Sequence, residues 1–148
     1  MRDQIENLKR LTINIRENVD LSMEGVARLE EQIQETGLSI EIWLRRNLVD
    51  GPLTADGDQF FQERTRLGWS KLCWNRWGFV VSREQHAGTM DETGNFVASH
   101  LTEPTGNVPI STASLADKIH VLEAFDEMMT DLIAASKKAL ACIPYIST

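Results

Sequence analysis

From Ile5 onward the chain steps through Ile5, Leu8, Thr12, Ile15, Val19, Ser22, Val26, Leu29 and Ile33, alternating strides of three and four. Seven of these nine positions are apolar, which is the seam of a coiled-coil helix. Gly37 supplies a stop, so the pattern predicts one long helix over residues 1–37. Asp3 and Glu6 are placed to form a capping pair at its start. Gly25 costs about 1 kcal/mol against alanine and is the expected point of bending. Every first core position (Ile5, Thr12, Val19, Val26, Ile33) is β-branched, which favours a two-stranded parallel seam. Leu11, Ile13, Leu21 and Met23 widen the apolar face further, so more than one neighbour is expected.

Length sharpens the point. Such a helix spans about 50 Å at ~1.5 Å per residue. A compact chain of 148 residues has a diameter near ~40 Å. The helix must bend, lie beside a second long element, or meet another copy of the chain. The reading adopted is self-association as a homodimer or higher oligomer, with Ile5, Leu8, Ile15, Val19, Val26, Leu29 and Ile33 as the interface.

A second helix is written over residues 113–143. Ser114 and Asp117 form a capping pair, and Leu115, Ile119, Leu122, Phe125, Met129 and Leu132 follow at helical spacing. Acids lead and Lys137 and Lys138 trail, which suits the helix dipole. Pro144 is expected to close it.

Between the helices the period falls to two. "SIEIWLRR" alternates Ile40, Ile42 and Leu44 against Glu41, Trp43 and Arg45, the mark of a strand. "LGWSKLC" and "RWGFVVS" read as two more, joined by a turn near Trp74-Asn75-Arg76. "NFVASHL" is a possible fourth. The sheet with its loops is thus expected over residues 38–101. "LVDGPLTADGD" and the stretch from His86 to Ser111 read as loops, with residues 102–112 wholly loop. The fold class predicted is α+β, a single domain over residues 1–148. A long N-terminal coiled-coil-like helix, an antiparallel sheet of three to four strands and a long C-terminal helix make it up.

The chain carries a net charge of −7, which argues against broad nucleic-acid binding. No apolar run approaches the ~20 residues that cross a bilayer, and the first ten residues have no apolar signal core. No membrane association and a cytoplasmic location are therefore expected. Cys73 and Cys142 form no paired motif and read as free thiols of a reducing compartment. His86, His100 and His120 follow no zinc spacing. His86, Asp91 and His100 were the one set that a loop can gather. "DGPLTADGD" lacks the terminal glutamate of a calcium loop. Phosphate loop, nucleophile elbow and dinucleotide fingerprint are all missing from the sequence. These readings point to a non-enzymatic protein with no catalytic residue, no metal and no cofactor.

One segment departs from this acidic background. From Arg64 to Arg83 there are five basic residues (Arg64, Arg66, Lys71, Arg76, Arg83) and no acid, and three of the four tryptophans lie inside it. In a strand, alternate residues share a face. Trp69, Lys71 and Cys73 therefore share one face and Leu72 and Trp74 the other; across the turn Trp77 pairs with Phe79. One such face is expected as core. The other would present indole beside Arg or Lys, a surface that stacks on bases and pairs with anions, or one that forms a protein–protein hot spot. The candidate binding residues are Arg66, Trp69, Lys71, Trp74, Arg76 and Trp77. Two functions follow. The first is an oligomeric interaction protein that scaffolds or inhibits a partner complex. The alternative is a small-molecule binder that captures an anionic ligand such as a nucleotide at this hairpin.

In the order of its elements, through "LSIEIWL", "LGWSKLCWNRWGFVV" and "STASLADKIHVLEAFDEMMTDLI", the chain resembles small bacterial helix–hairpin–helix proteins of uncharacterised activity. Leu67-Gly68-aromatic and Trp77-Gly78 are the most distinctive points. The resemblance implies a helix–sheet–helix fold and no ligand or catalytic residue.

Overall fold

A computed structural model describes residues 1–73, 75–104 and 106–143. Helix α1 (Arg2–Glu35) leads to a short strand β1 (Ile42–Trp43), then β2 (Val49–Asp56), β3 (Gln59–Cys73), β4 (Arg76–Met90), β5 (Phe96–Pro104) and β6 (Val108–Pro109). A single 3-10 turn (Ile110–Thr112) delivers the chain to α2 (Leu115–Ala141). The protein is α+β, with an N-terminal helix, an antiparallel sheet of six strands and a C-terminal helix.

The sheet is built on one hairpin. β3 and β4 pair antiparallel along their whole lengths, from Phe60 opposite Gly88 to Cys73 opposite Arg76. Each is 15 residues, or about 50 Å at ~3.4 Å per residue. The outer edge of β3 carries β2 and then β1; the outer edge of β4 carries β5 and then β6. The spine β1-β3-β4-β5 is the expected four-stranded sheet, and two strands were read as loop. β2 lies in "LVDGPLTADGD" and turns into β3 at Gly57, whose φ of 63° favours glycine. The stretch beyond His86 is the far end of β4 and a hairpin to β5. Its turn is tied by the Asp91 carboxylate, which accepts from the Thr93 and Asn95 backbone N–H groups. Residues 102–112 accordingly hold the end of β5 and all of β6 rather than loop alone.

The helices pack on the hairpin toward its turn. Trp69 and Phe79, cross-strand partners, meet edge to face at 5.1 Å between ring centres. Phe125 of α2 meets Phe79 at 5.4 Å. Val121, Ala124, Met128 and Leu132 of α2 complete the core with Leu67, Val81, Ile42 and Leu44. Buried Ile42 and Leu44 bear out the alternation read in "SIEIWLRR", although only Ile42–Trp43 is strand and Ile40 is exposed.

The helix ends are partly as the residues dictate. Gly37, with φ of 76°, follows α1, and Ser114 Oγ accepts from the Asp117 N–H at the start of α2. Pro144 lies outside the described residues. At its other end α1 differs from expectation. No side chain caps it: Met1 holds the N-cap position, Asp3 sits inside the first turn and Glu6 pairs with Lys9 instead. The helix runs on through Gly25 without interruption. Among the described residues no helix is long and apolar enough to cross a membrane.

Candidate functional site

Two places in the molecule keep side chains that the fold itself does not use. The first is the tip of the β3–β4 hairpin. The five cations from Arg64 to Arg83 are contiguous in charge along the sequence but not in space. Arg66 lies over the Trp43 ring at 4.8 Å and 3.6 Å from the Glu84 carboxylate, which also meets His86 at 3.0 Å. Arg83 contacts Asp117 of α2 at 2.6 Å and Glu63 at 3.8 Å. Arg64 bonds to Gln62 and lies over Phe96. Acids absent from the segment thus arrive from α2, from β4 beyond Arg83 and from β3 before Arg64. The expected uniform basic patch is dissolved by this pairing.

Lys71 and Arg76 are different. Both are exposed and neither makes an ion pair or hydrogen bond to a described residue. Lys71 is the cross-strand partner of Trp77, and Arg76 is its neighbour in sequence. Here the hairpin turn (Asn75, Arg76, Trp77), Gln34 at the end of α1 and Leu38 and Ser39 beyond it enclose a cleft of about 490 Å³. The exposed thiol of Cys73 is on its wall. The cleft is held in shape by α1. Gln34 donates to the Trp77 carbonyl at 2.6 Å, and Glu30 accepts from the Phe79 N–H at 2.8 Å. Half-burial pushes the Glu30 carboxyl above its usual range, and the Phe79 N–H and the Arg76 charge pull it back.

The six binding candidates therefore separate. Lys71, Arg76 and Trp77 gather at the tip. Arg66 is on another part of the sheet with Trp43. Trp69 is a correction: it is completely buried, its Nε1–H donating to the Leu38 carbonyl, and is core. Trp74 lies outside the described residues.

The second place is the free half of α1. Every residue from Arg2 to Asn18 is exposed. Ile5 (48%), Leu8 (63%) and Ile15 (47%) show large apolar surface, as do Leu11 and Ile13. From Val19 the helix acquires neighbours. Val19 and Val26 are buried within the chain and Ile33 packs partly on the core, whereas Leu29 stays exposed. Three of the seven expected interface residues are thus used, wholly or in part, by the protomer's own fold. They are not available to a second copy without unfolding it.

No family model, curated protein or solved structure matches this chain.

Position alone explains the two distinctive glycine motifs. A Cβ on Gly68 would run into the Trp43 ring, so glycine lets that indole lie flat on β3 and receive Arg66. A Cβ on Gly78 would come within 2.6 Å of Leu72 and 3.0 Å of the Glu30 carboxylate; glycine there lets α1 close on the strand edge. Trp43 was not among the expected site residues, although its alternation with Ile42 placed it on the opposite face. The histidines do not gather. His86 contacts Glu84, His100 contacts Ser99, and Asp91 is spent on its own turn. Among the described residues no three potential metal ligands converge.

Proposed function

We propose that this chain is a non-enzymatic interaction protein that assembles with a second copy of itself through residues 2–18 of α1. The observation that carries the reading is the exposed row Ile5, Leu8 and Ile15, widened by Leu11, on a helical arm whose residues 2–18 are all exposed. An isolated helix of this length is marginal in water, and apolar patches of this extent on a lone chain mark association surfaces. A second copy is the natural occupant because the row continues, in phase, the heptads that the protomer buries at Val19 and Val26. Thr12, the polar residue of the row, donates its hydroxyl to the Leu8 carbonyl at 2.8 Å, which leaves its methyl group for a seam.

Charge selects the sense of pairing. Lys9 and Arg16 both flank the row on one side, with Gln4 and Leu11 on the other. Antiparallel arms would bring the Lys9 and Arg16 sides together across the seam, at a cost. Parallel arms set them against Gln4 and Leu11 instead. A parallel pair holds two sheet bodies at one end and leaves their outer surfaces free for a further partner.

Size-exclusion chromatography with light scattering tests this. A dimer at micromolar concentration is expected, and Leu8→Glu with Ile15→Glu should give a monomer whose circular dichroism is otherwise unchanged. A wild-type chain that elutes as a monomer throughout the micromolar range would overturn the reading.

A further inference from the structure

We infer that the cleft at the hairpin tip is a binding site for a small planar anion of the mononucleotide class, with Trp77 as the stacking surface and Arg76 as the anion contact. This inference goes beyond self-assembly and rests on different residues.

The first support is the pattern of pairing. In a chain of net charge −7, acids are abundant, and the other sheet-associated cations have found partners. Arg45 meets Asp131 at 3.5 Å, Arg46 holds Glu127 through two bonds of 2.8 and 3.0 Å, and Arg66 and Arg83 are paired as described. Lys71 and Arg76 make no ion pair or hydrogen bond to a described residue, and they lie beside Trp77, which lines a cleft. The Glu30 carboxylate feels the Arg76 charge but is engaged by the Phe79 N–H.

The second support is shape and lining. About 490 Å³ is within the usual ~300–1,000 Å³ of small-ligand sites. Trp77 is half-buried, so part of its ring is anchored on the core and part is presented to the cleft. An indole held in this way stacks on a base for roughly 1–3 kcal/mol. The other wall is Gln34 of the last turn of α1 with Gly37, Leu38 and Ser39 just beyond it, at the negative end of the helix dipole. That wall suits N–H donors on a heterocycle and disfavours a phosphate. Arg76, on the side of the hairpin turn, suits the phosphate. The two walls therefore fit the two ends of one molecule, a base toward α1 and a phosphate toward the turn.

The experiment is a titration of the intact chain with AMP, GMP, UMP and inorganic phosphate, followed by intrinsic tryptophan fluorescence and by calorimetry. Saturable quenching by at least one mononucleotide is expected, with phosphate at least tenfold weaker. Arg76→Gln should weaken binding tenfold or more, and Trp77→Phe, which keeps the packing on the core, should weaken it less while removing most of the quenching. Arg46→Gln, remote from the cleft, should leave it unchanged. Equal binding of phosphate and mononucleotides overturns the stacking role, and equal binding by Arg76→Gln overturns the site. No saturable binding of any mononucleotide up to about 5 mM, which would load most of a site with a dissociation constant near 1 mM, overturns the inference as a whole. Oligonucleotides that bind far more tightly than any mononucleotide would overturn it in favour of a single-strand surface.

Discussion

The two halves of α1 share one heptad pattern and have opposite fates. From Val19 to Glu35 the row lies on the core and on the edge of β4; from Arg2 to Asn18 the same row faces solvent. A heptad pattern reports that a face is apolar. It does not report what covers the face. The cover of the second half is α2 and the sheet, which come later in the sequence and meet α1 only on folding.

Substitutions in the two halves should therefore behave unlike one another. Val26→Asp places a charge in the core and should cost at least about 3 kcal/mol. Leu8→Asp should cost the protomer less than about 1 kcal/mol, mainly through helix propensity. Urea denaturation at high dilution measures both; comparable losses would mean that residues 2–18 are packed after all. A smaller effect tests the sheet beneath the packed half. Gly68→Ala forces the Trp43 ring off β3 and should cost roughly 1–3 kcal/mol, with a change in near-ultraviolet circular dichroism. An unperturbed spectrum would show that the indole does not lie on Gly68.

The smallest expected effect is on pH dependence, where the packed half of α1 carries its own titrating group. Glu30 in the folded chain holds its proton more tightly than the ordinary value of 4.5. The native state then binds more protons than the unfolded one, so this residue's contribution falls as pH rises from about 4.5 through the raised value. Asp91, held low chiefly by the Thr93 hydroxyl, and Glu127, held low chiefly by Arg46, act with the opposite sign. Glu30→Gln keeps an oxygen for the Phe79 N–H and removes the charge. The variant should lose that falling component and be at least as stable as wild type at pH 7. Thermal melts from pH 4.5 to 7 that superimpose in slope would refute the assignment.

How much of this was legible beforehand varied with the range of the interaction involved. The helices, their Gly37 and Ser114 signals and the β3–β4 hairpin are set by neighbouring residues and could be read directly. β2 could not, because Gly51 and Pro52 look like loop. The register between β2 and β3 shifts between Asp50 and Leu53, and such an irregularity is where a strand tolerates them. The strand parity of Trp69 placed it with Lys71 but could not say which face the helices would cover. The charge pattern had the same limit: Glu84 is one residue past Arg83, Asp117 is thirty-four past it, and only folding makes both neighbours of the basic segment. The tip cleft needed Gln34 and Ser39 from one end of the sheet's connections and Trp77 from the middle, so no local motif announced it.

Among the described residues no strand pairs with the outer edge of β4 beside Trp77 and Phe79, where β5 pairs with residues 84–90 and β6 with 80–81. Glu30 and Gln34, one helical turn apart, satisfy one N–H and one carbonyl there in place of a strand. The order of synthesis gives this substitution a particular consequence. α1 is made before the strands that seat it, and its seat does not exist until residue 79 has been added. The growing chain must carry an unseated apolar helix for more than forty residues. Once the hairpin forms, the same helix shields an edge that would otherwise recruit strands from neighbouring chains.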